Sequence, residues 1–299
     1  MQNSPSPAWT QSQVTTYEAT IEAVSDVIAG YSHQIGEEES NASPDPEHIA
    51  WLLIRIRQAK LALRLLDIAR DKTVRAALDE FGSIAQAQAQ ITEKLSLDIV
   101  DLDDPETFSL SNEHLQHIYQ NHVAPVLFDN ARESKHPTAI VLGGQPGSGK
   151  SPMTCKILQE FENTDDIVPI ITDDLRAFLP YYHSLQISED KLAAFFTGPD
   201  TGRLVEMAIA DAARRKVNVL VEGTMRSPDV VRKTLAGFRR NGYFTDARVL
   251  VVHPALSKLS TMQRYAAQKE NRGRGRATTD EAHTAALHGL TRSVDIIQR

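Results

Sequence analysis

Apolar side chains recur along the first hundred residues at helical spacing. Tyr17, Ile21, Val24, Ile28, Tyr31 and Ile35 follow a 4-3-4-3-4 step, the stripe of an amphipathic helix. Gly36 and the Glu-Ser-Asn-Ala-Ser-Pro stretch after it are expected to end that helix. A second helix is expected from Pro46, with Asp45 as its N-cap and Glu47 favourable to its dipole. Its apolar positions Ile49, Leu52, Leu53, Ile56, Leu63 and Leu66, with Leu61 and Leu65 beside them, make a face broad enough for two neighbours. A third helix is expected from about Thr73, with Val74, Leu78, Phe81, Ile84, Ile91 and Leu95 turned inward. Three helices with short links predict a small antiparallel bundle over 13–97. The polar, proline-dotted residues 1–12 read as a loose tail.

Beyond a linker at 98–107, marked by Asp98, Asp101, Asp103, Asp104 and Pro105, the period changes. Short β-rich runs at Ala139–Leu142, Ile167–Thr172, Val217–Val221 and Arg248–Val252 alternate with helical stretches. That alternation predicts an α/β fold over 106–299, a P-loop NTPase-type parallel sheet with flanking helices. A length of 299 residues fits two domains. With 41% apolar and 24% charged residues the chain has the balance of a folded protein. No apolar run approaches the roughly 20 residues of a membrane span, and the N-terminus lacks a secretory pattern. One cysteine, Cys155, excludes an internal disulfide and a multi-Cys zinc site; it reads as a core residue. The ten histidines show no paired spacing that argues for a metal. A soluble, cytoplasmic protein is expected. Charge changes the picture once more. The net charge is −7, yet residues 1–50 carry eight acidic and no basic side chains, which leaves the remainder at +1. Such a balance argues against general nucleic-acid binding.

The clearest chemistry lies at Gly144, Gln145, Pro146, Gly147, Ser148, Gly149, Lys150 and Ser151, a G-x-x-x-x-G-K-S run directly after Thr138–Leu142. Glycines let successive backbone N–H groups turn toward phosphate oxygens, and the following helix adds its positive end. Lys150 reaches the β- and γ-phosphates and Ser151 offers a hydroxyl to a metal, so a nucleotide and Mg²⁺ are expected there. Pro152 falls in the helix's first turn, where its missing N–H costs little. No N-K-x-D motif of a GTPase is present.

Three further stretches carry polar groups. Asp173 and Asp174 end the next strand, where substrates meet phosphates in open α/β sheets. Adjacent side chains point apart, so one can take a hydroxyl proton while the other caps the helix before Leu175, or both can cap it. Glu222 and Thr224 flank Gly223 at the end of another strand and read either as substrate contacts or as ordinary strand-end groups. The segment 264–276 holds five basic residues in thirteen. It reads as an arginine lid over a triphosphate, mobile through its glycines, or as a solvated basic loop.

In order, G-G-Q-P-G-S-G-K-S, T-D-D-L-R-x-x-x-P, V-E-G-T-x-R, R-Y and R-A-T-x-x-x-A-H resemble the zeta toxin family of kinases over about residues 106–292. The resemblance implies transfer of a phosphoryl group from ATP, with Mg²⁺, to the 3′-hydroxyl of the amino sugar of UDP-N-acetylglucosamine, which blocks peptidoglycan precursor synthesis. It implies Asp173 as the base, with Arg176 in the same motif. Glu206, Thr224 and Thr234 map to substrate contacts, with Glu222 and Arg226 in the same neighbourhood. Arg264 and Arg276 map to the phosphate clamp, with Arg274 a rival because the spacing is about one residue short. Leu179 and Thr284 stand where the family often has His and Asp. Zeta toxins are neutralised by a separate three-helix antitoxin, so 13–97 is expected to act as that antitoxin within one chain, or else as an oligomerisation or stability module. The other functional readings are a P-loop kinase of a different nucleotide sugar or an antibiotic hydroxyl, and a non-catalytic nucleotide-gated module.

Overall fold

A computed structural model describes residues 9–95, 97 and 101–297. Most of the expected tail (1–8) and the start of the linker at Asp98 lie outside the described residues. Helix α1 (Gln11–Glu39) opens with a capping box: the Thr10 hydroxyl accepts from the Gln13 N–H and the Gln13 side chain accepts from the Thr10 N–H. It runs straight through Gly36 and ends at Glu39, where the Glu-Ser-Asn-Ala-Ser-Pro stretch begins. A Cβ at Gly36 would sit 2.6 Å from the Pro180 Cβ, so the glycine serves close approach to the α/β part rather than termination. Between Glu22 and Ser32 α1 is buried on every side. It is a central helix rather than one face of a free-standing bundle.

Helix α2 (Pro46–Leu65) starts as expected, with the Asp45 carboxylate accepting from the N–H groups of Glu47 and His48. Leu52, Ile56 and Ala59 are buried, but Leu61 and Leu65 face solvent. Helix α3 (Asp71–Ile91) lays Val74, Gly82, Ala85 and Gln88 inward, and Ile91 is exposed. The close approach of the two helices is at Gly30 of α1, where a Cβ would meet the Gln88 side chain of α3 at 2.4 Å, so the inner face of α3 is less apolar than the leucines and isoleucines of the sequence suggest.

Helix α4 (Asn112–Ile118) continues through a π turn (Tyr119–Val123) into α5 (Ala124–Leu127). The α/β part then runs β1 (Thr138–Gly144), α6 (Lys150–Leu158), β2 (Val168–Ile171), α7 (Thr172–Arg176), α8 (Tyr182–Ser188), α9 (Ala193–Phe196) and α10 (Gly198–Arg215). It closes with β3 (Val219–Gly223), α11 (Pro228–Arg240), β4 (Phe244–Leu250), α12 (Pro254–Arg272) and α13 (Asp280–Ile297). The four strands form a parallel sheet in the order β2-β3-β1-β4. β4 begins at Phe244 rather than Arg248. It lies at the sheet edge and tolerates Asp246 and Arg248, which pair with each other while Arg248 also reaches Glu160. Those charges hide the strand from an apolar pattern.

One apolar cluster joins Val24, Ile28 and Ile35 of α1 and Leu52 and Ile56 of α2 to Val168, Leu175, Phe178 and Leu185. The N-terminal helices and the sheet therefore share a core. No described helix is long and apolar enough to cross a membrane.

Candidate active site

The phosphate loop leaves β1 and closes at the start of α6. Gly147 needs its glycine twice over: its φ is +78° and a Cβ would meet the Ser257 carbonyl oxygen at 2.1 Å. Gln145 does not turn its side chain toward the cradle. Its amide is buried and donates to the Val252 carbonyl at 2.6 Å, tying the loop to the segment after β4. Lys150 Nζ donates to the carbonyls of Gly144 (3.0 Å) and Gln145 (3.4 Å), and burial pulls its pKa down. Thr154 donates to Glu222 Oε2 at 3.0 Å. Burial raises the Glu222 pKa against the pull of Lys150. Pro152 sits in the first turn of α6, and Cys155 is buried there, packed with Tyr17 and Leu66.

The two aspartates part company. Asp173 accepts from Arg176 at 3.0 Å and is ion-paired with Arg276. Burial alone would raise its pKa, but Arg276, Arg176 and Arg264 outweigh it and hold the carboxyl well below the usual range. Asp174 does not cap a helix through a backbone bond. It is buried against Lys60 of α2 in an ion pair.

The basic segment is packed rather than loose. Arg264 to Arg272 lie in α12, and Gly273, at φ +73°, is its left-handed C-cap. A Cβ on Gly275 would come within 2.9 Å of the Tyr265 ring. These glycines thus serve a helix end and a tight contact. Asp190, which no motif singles out, gathers the segment: it pairs with Lys269 at 3.0 Å and accepts from the Gly275 N–H at 2.9 Å and the Tyr265 hydroxyl at 3.1 Å. Acidic groups of α1 complete the arrangement. Arg272 and Arg274 both pair with Asp26, and Arg274 also donates to the Ala85 carbonyl. Arg276 pairs with Glu22 at 2.8 Å while it holds Asp173.

A cavity of about 450 Å³ brings Ser151, Thr154, Asp173, Glu222, Arg264 and Arg276 together with Tyr17, Glu18, Glu22, Lys60 and Arg64 from the N-terminal helices. Arg176 reaches this site through Asp173. Glu206 and Arg226 are exposed, Thr224 and Thr234 are half-buried, and none of the four lines the cavity. The donor set suits a polyphosphate. Ser151 in the first turn of α6 and two arginines face one space, and Ser148 Oγ, Arg264 Nε and Arg276 Nε are buried without a partner among the described residues.

A parallel sheet with a phosphate loop between an interior strand and the next helix places the molecule in the P-loop class of α/β proteins. The sequence model of the zeta toxin family matches residues 120–299. The chain belongs to that family. It is 35% identical to toxin PezT of Streptococcus pneumoniae serotype 4 over 160 residues, 53% of this chain and 62% of that protein. Toxin zeta of Enterococcus hirae is 28% identical over 174 residues, 58% of this chain and 60% of the relative. The matched region thus spans about three fifths of these curated relatives' length. A solved structure from the characterisation of the PezAT chromosomal toxin-antitoxin system of Streptococcus pneumoniae superposes with a TM-score of 0.54 at 28% identity, covering 64% of this chain and 75% of that one.

Proposed function

We propose that residues 106–299 are an ATP- and Mg²⁺-dependent kinase of the 3′-hydroxyl of UDP-N-acetylglucosamine, and that residues 13–97 are an antitoxin module in the same chain that holds it inactive. The observation that carries this reading is the convergence of Ser151, Asp173, Arg264 and Arg276 on one cavity whose remaining wall is α1 and α2. ATP supplies the phosphoryl group and Mg²⁺ neutralises charge on it when they are bound.

The chain's own residues divide the work. Lys150 and the N–H groups of Gly147, Ser148 and Gly149 hold phosphate oxygens, with Gly144, Gln145 and Pro146 shaping the loop, and Ser151 offers a metal ligand. Arg264 and Arg276 offset negative charge on the group being transferred. Arg276 is preferred to Arg274 as the second clamp, because Arg274 is buried against Asp26 and the Ala85 carbonyl. Asp173 accepts the proton of the acceptor hydroxyl. Glu222 is the acidic neighbour of Lys150, and Arg176 orients Asp173. Glu206, Thr224, Arg226 and Thr234 are assigned to sugar-nucleotide binding on the family resemblance.

Inhibition follows from charge. Glu22 occupies Arg276, and Arg276 in turn lowers the proton affinity of Asp173. While α1 is docked, Glu22 keeps the clamp engaged.

The test uses the full chain. Wild type and a Glu22→Gln variant are incubated with Mg-ATP and UDP-N-acetylglucosamine, and the sugar nucleotide is weighed by mass spectrometry. A product heavier by one phosphate, formed faster by the variant, is expected. No product from either protein while both bind ATP redirects the assignment to another hydroxyl acceptor. Equal rates remove α1 from control of the enzyme.

A further inference from the structure

Away from the phosphate loop, the end of α1 meets the α4 segment at a cluster of metal-ligating side chains. Glu39, the last residue of α1, places Oε1 3.0 Å from His117 Nε2 and 3.0 Å from His122 Nε2. All three ligand atoms lie within 4.8 Å of one another. His117 and His122 are five residues apart, which in an α-helix would turn their side chains roughly 140° away from each other. The π turn at Tyr119–Val123 has i to i+5 pairing and puts both imidazoles on one side, their ring centroids 5.6 Å apart. Such turns are rare and concentrate at functional sites. The cluster is rooted in the protein and open on one side: the side chains of His122, Glu39 and His117 are 7%, 24% and 49% exposed.

The geometry points to a site for a first-row divalent ion, Zn²⁺ foremost, held by Glu39, His117 and His122 with water in the fourth position. Zinc binds imidazole nitrogen and carboxylate oxygen at about 2.0–2.2 Å, which sets tetrahedral ligand atoms about 3.4 Å apart. The present 3.0 Å separations need only a few tenths of an ångström of expansion. Two imidazoles with one carboxylate suit zinc and its neighbours rather than Ca²⁺ or Mg²⁺, which take oxygen ligands. Binding requires the Nε2 lone pairs, which moves each ring proton to Nδ1. The Asn121 amide nitrogen, which donates to the His117 carbonyl at 3.0 Å, lies 3.1 Å from His117 Nδ1 and must give way when that Nδ1 carries the proton. The ion would fasten the end of α1 to the α4 segment.

The untagged full chain, stripped with a chelator, is titrated with Zn²⁺ against a chromophoric competitor, in parallel with His117→Ala and Glu39→Gln. One equivalent is expected to bind wild type at least about 100-fold more tightly than either variant, and to raise the thermal midpoint of wild type alone. His117 is half-exposed and its removal spares the core. If that variant nevertheless fails to fold, the Glu39→Gln comparison decides alone. Equal or sub-stoichiometric binding by wild type and the folded variants, with unmoved midpoints, reduces the cluster to a histidine-carboxylate hydrogen-bond latch and overturns the assignment.

Discussion

Arg276 is claimed by two carboxylates at once, Asp173 and Glu22. Every consequence proposed at the residue scale follows from that sharing. Asp173→Asn keeps the shape and removes the proposed base, so phosphoryl transfer should fall by about 10²–10⁴-fold while ATP affinity, followed by fluorescence, stays within a few-fold. Glu22→Gln releases one hold on Arg276 and should raise the transfer rate about tenfold, a change of about 1.4 kcal/mol in the balance of docked and free arginine. Both can be read from one product assay. Spacing in the chain could not choose between Arg274 and Arg276, nor could strand alternation say what Asp174 does. Packing separates them: Arg274 is turned to Asp26 and the Ala85 carbonyl of the N-terminal helices and Arg276 to the cavity, while of the two aspartates that border the cavity Asp174 is taken up by Lys60 and Asp173 by Arg176 and Arg276.

At the scale of elements, α1 is the piece whose role changes most between pattern and structure. Its stripe is amphipathic on paper, yet Glu22 and Asp26 are buried because the opposite face meets arginines rather than water. α2 is fixed to α7 by the buried Lys60–Asp174 pair. Lys60→Met would strand the Asp174 charge and should cost about 3–5 kcal/mol in urea unfolding; adding Asp174→Leu should recover most of the loss. β4 escaped an apolar reading through Asp246 and Arg248, and the glycines after α12 are a cap and a contact rather than hinges. The phosphate loop, the strand before it and the capped start of α2 were all legible locally, because spacing and capping act over a few residues.

Across the whole molecule, the helices and the sheet share one apolar core, so deleting residues 1–97 would expose that core along with the site, and charge substitutions are the cleaner probe of the proposed inhibition. Their interface also senses acid. His183 of α8 is fully buried beside His33 of α1, with ring centroids 5.9 Å apart and both ring nitrogens unpartnered among the described residues. Burial first, then Arg274 and His33, push its pKa down to about 4, while Asp26 pulls it up only in part. An unfolded chain takes this proton near pH 6.5 and the folded one only near 4, so the His183 contribution is intact above 6.5 and drains away as pH falls toward 4. Stability should drop by about 2 kcal/mol between pH 7 and 5 from this group, and His183→Leu should flatten that part of the urea-midpoint profile. The amino-acid sequence by itself determined the phosphate loop, the Asp173 motif, the parallel α/β plan and the three leading helices, since each rests on periodicity or backbone geometry within one element. Tertiary structure alone decided the pairing of Lys60 with Asp174 across 114 residues, of Arg272 with Asp26 across 246, and the meeting of Glu39 with His117 across 78. Such partners are chosen by which faces pack together, and no local period encodes that.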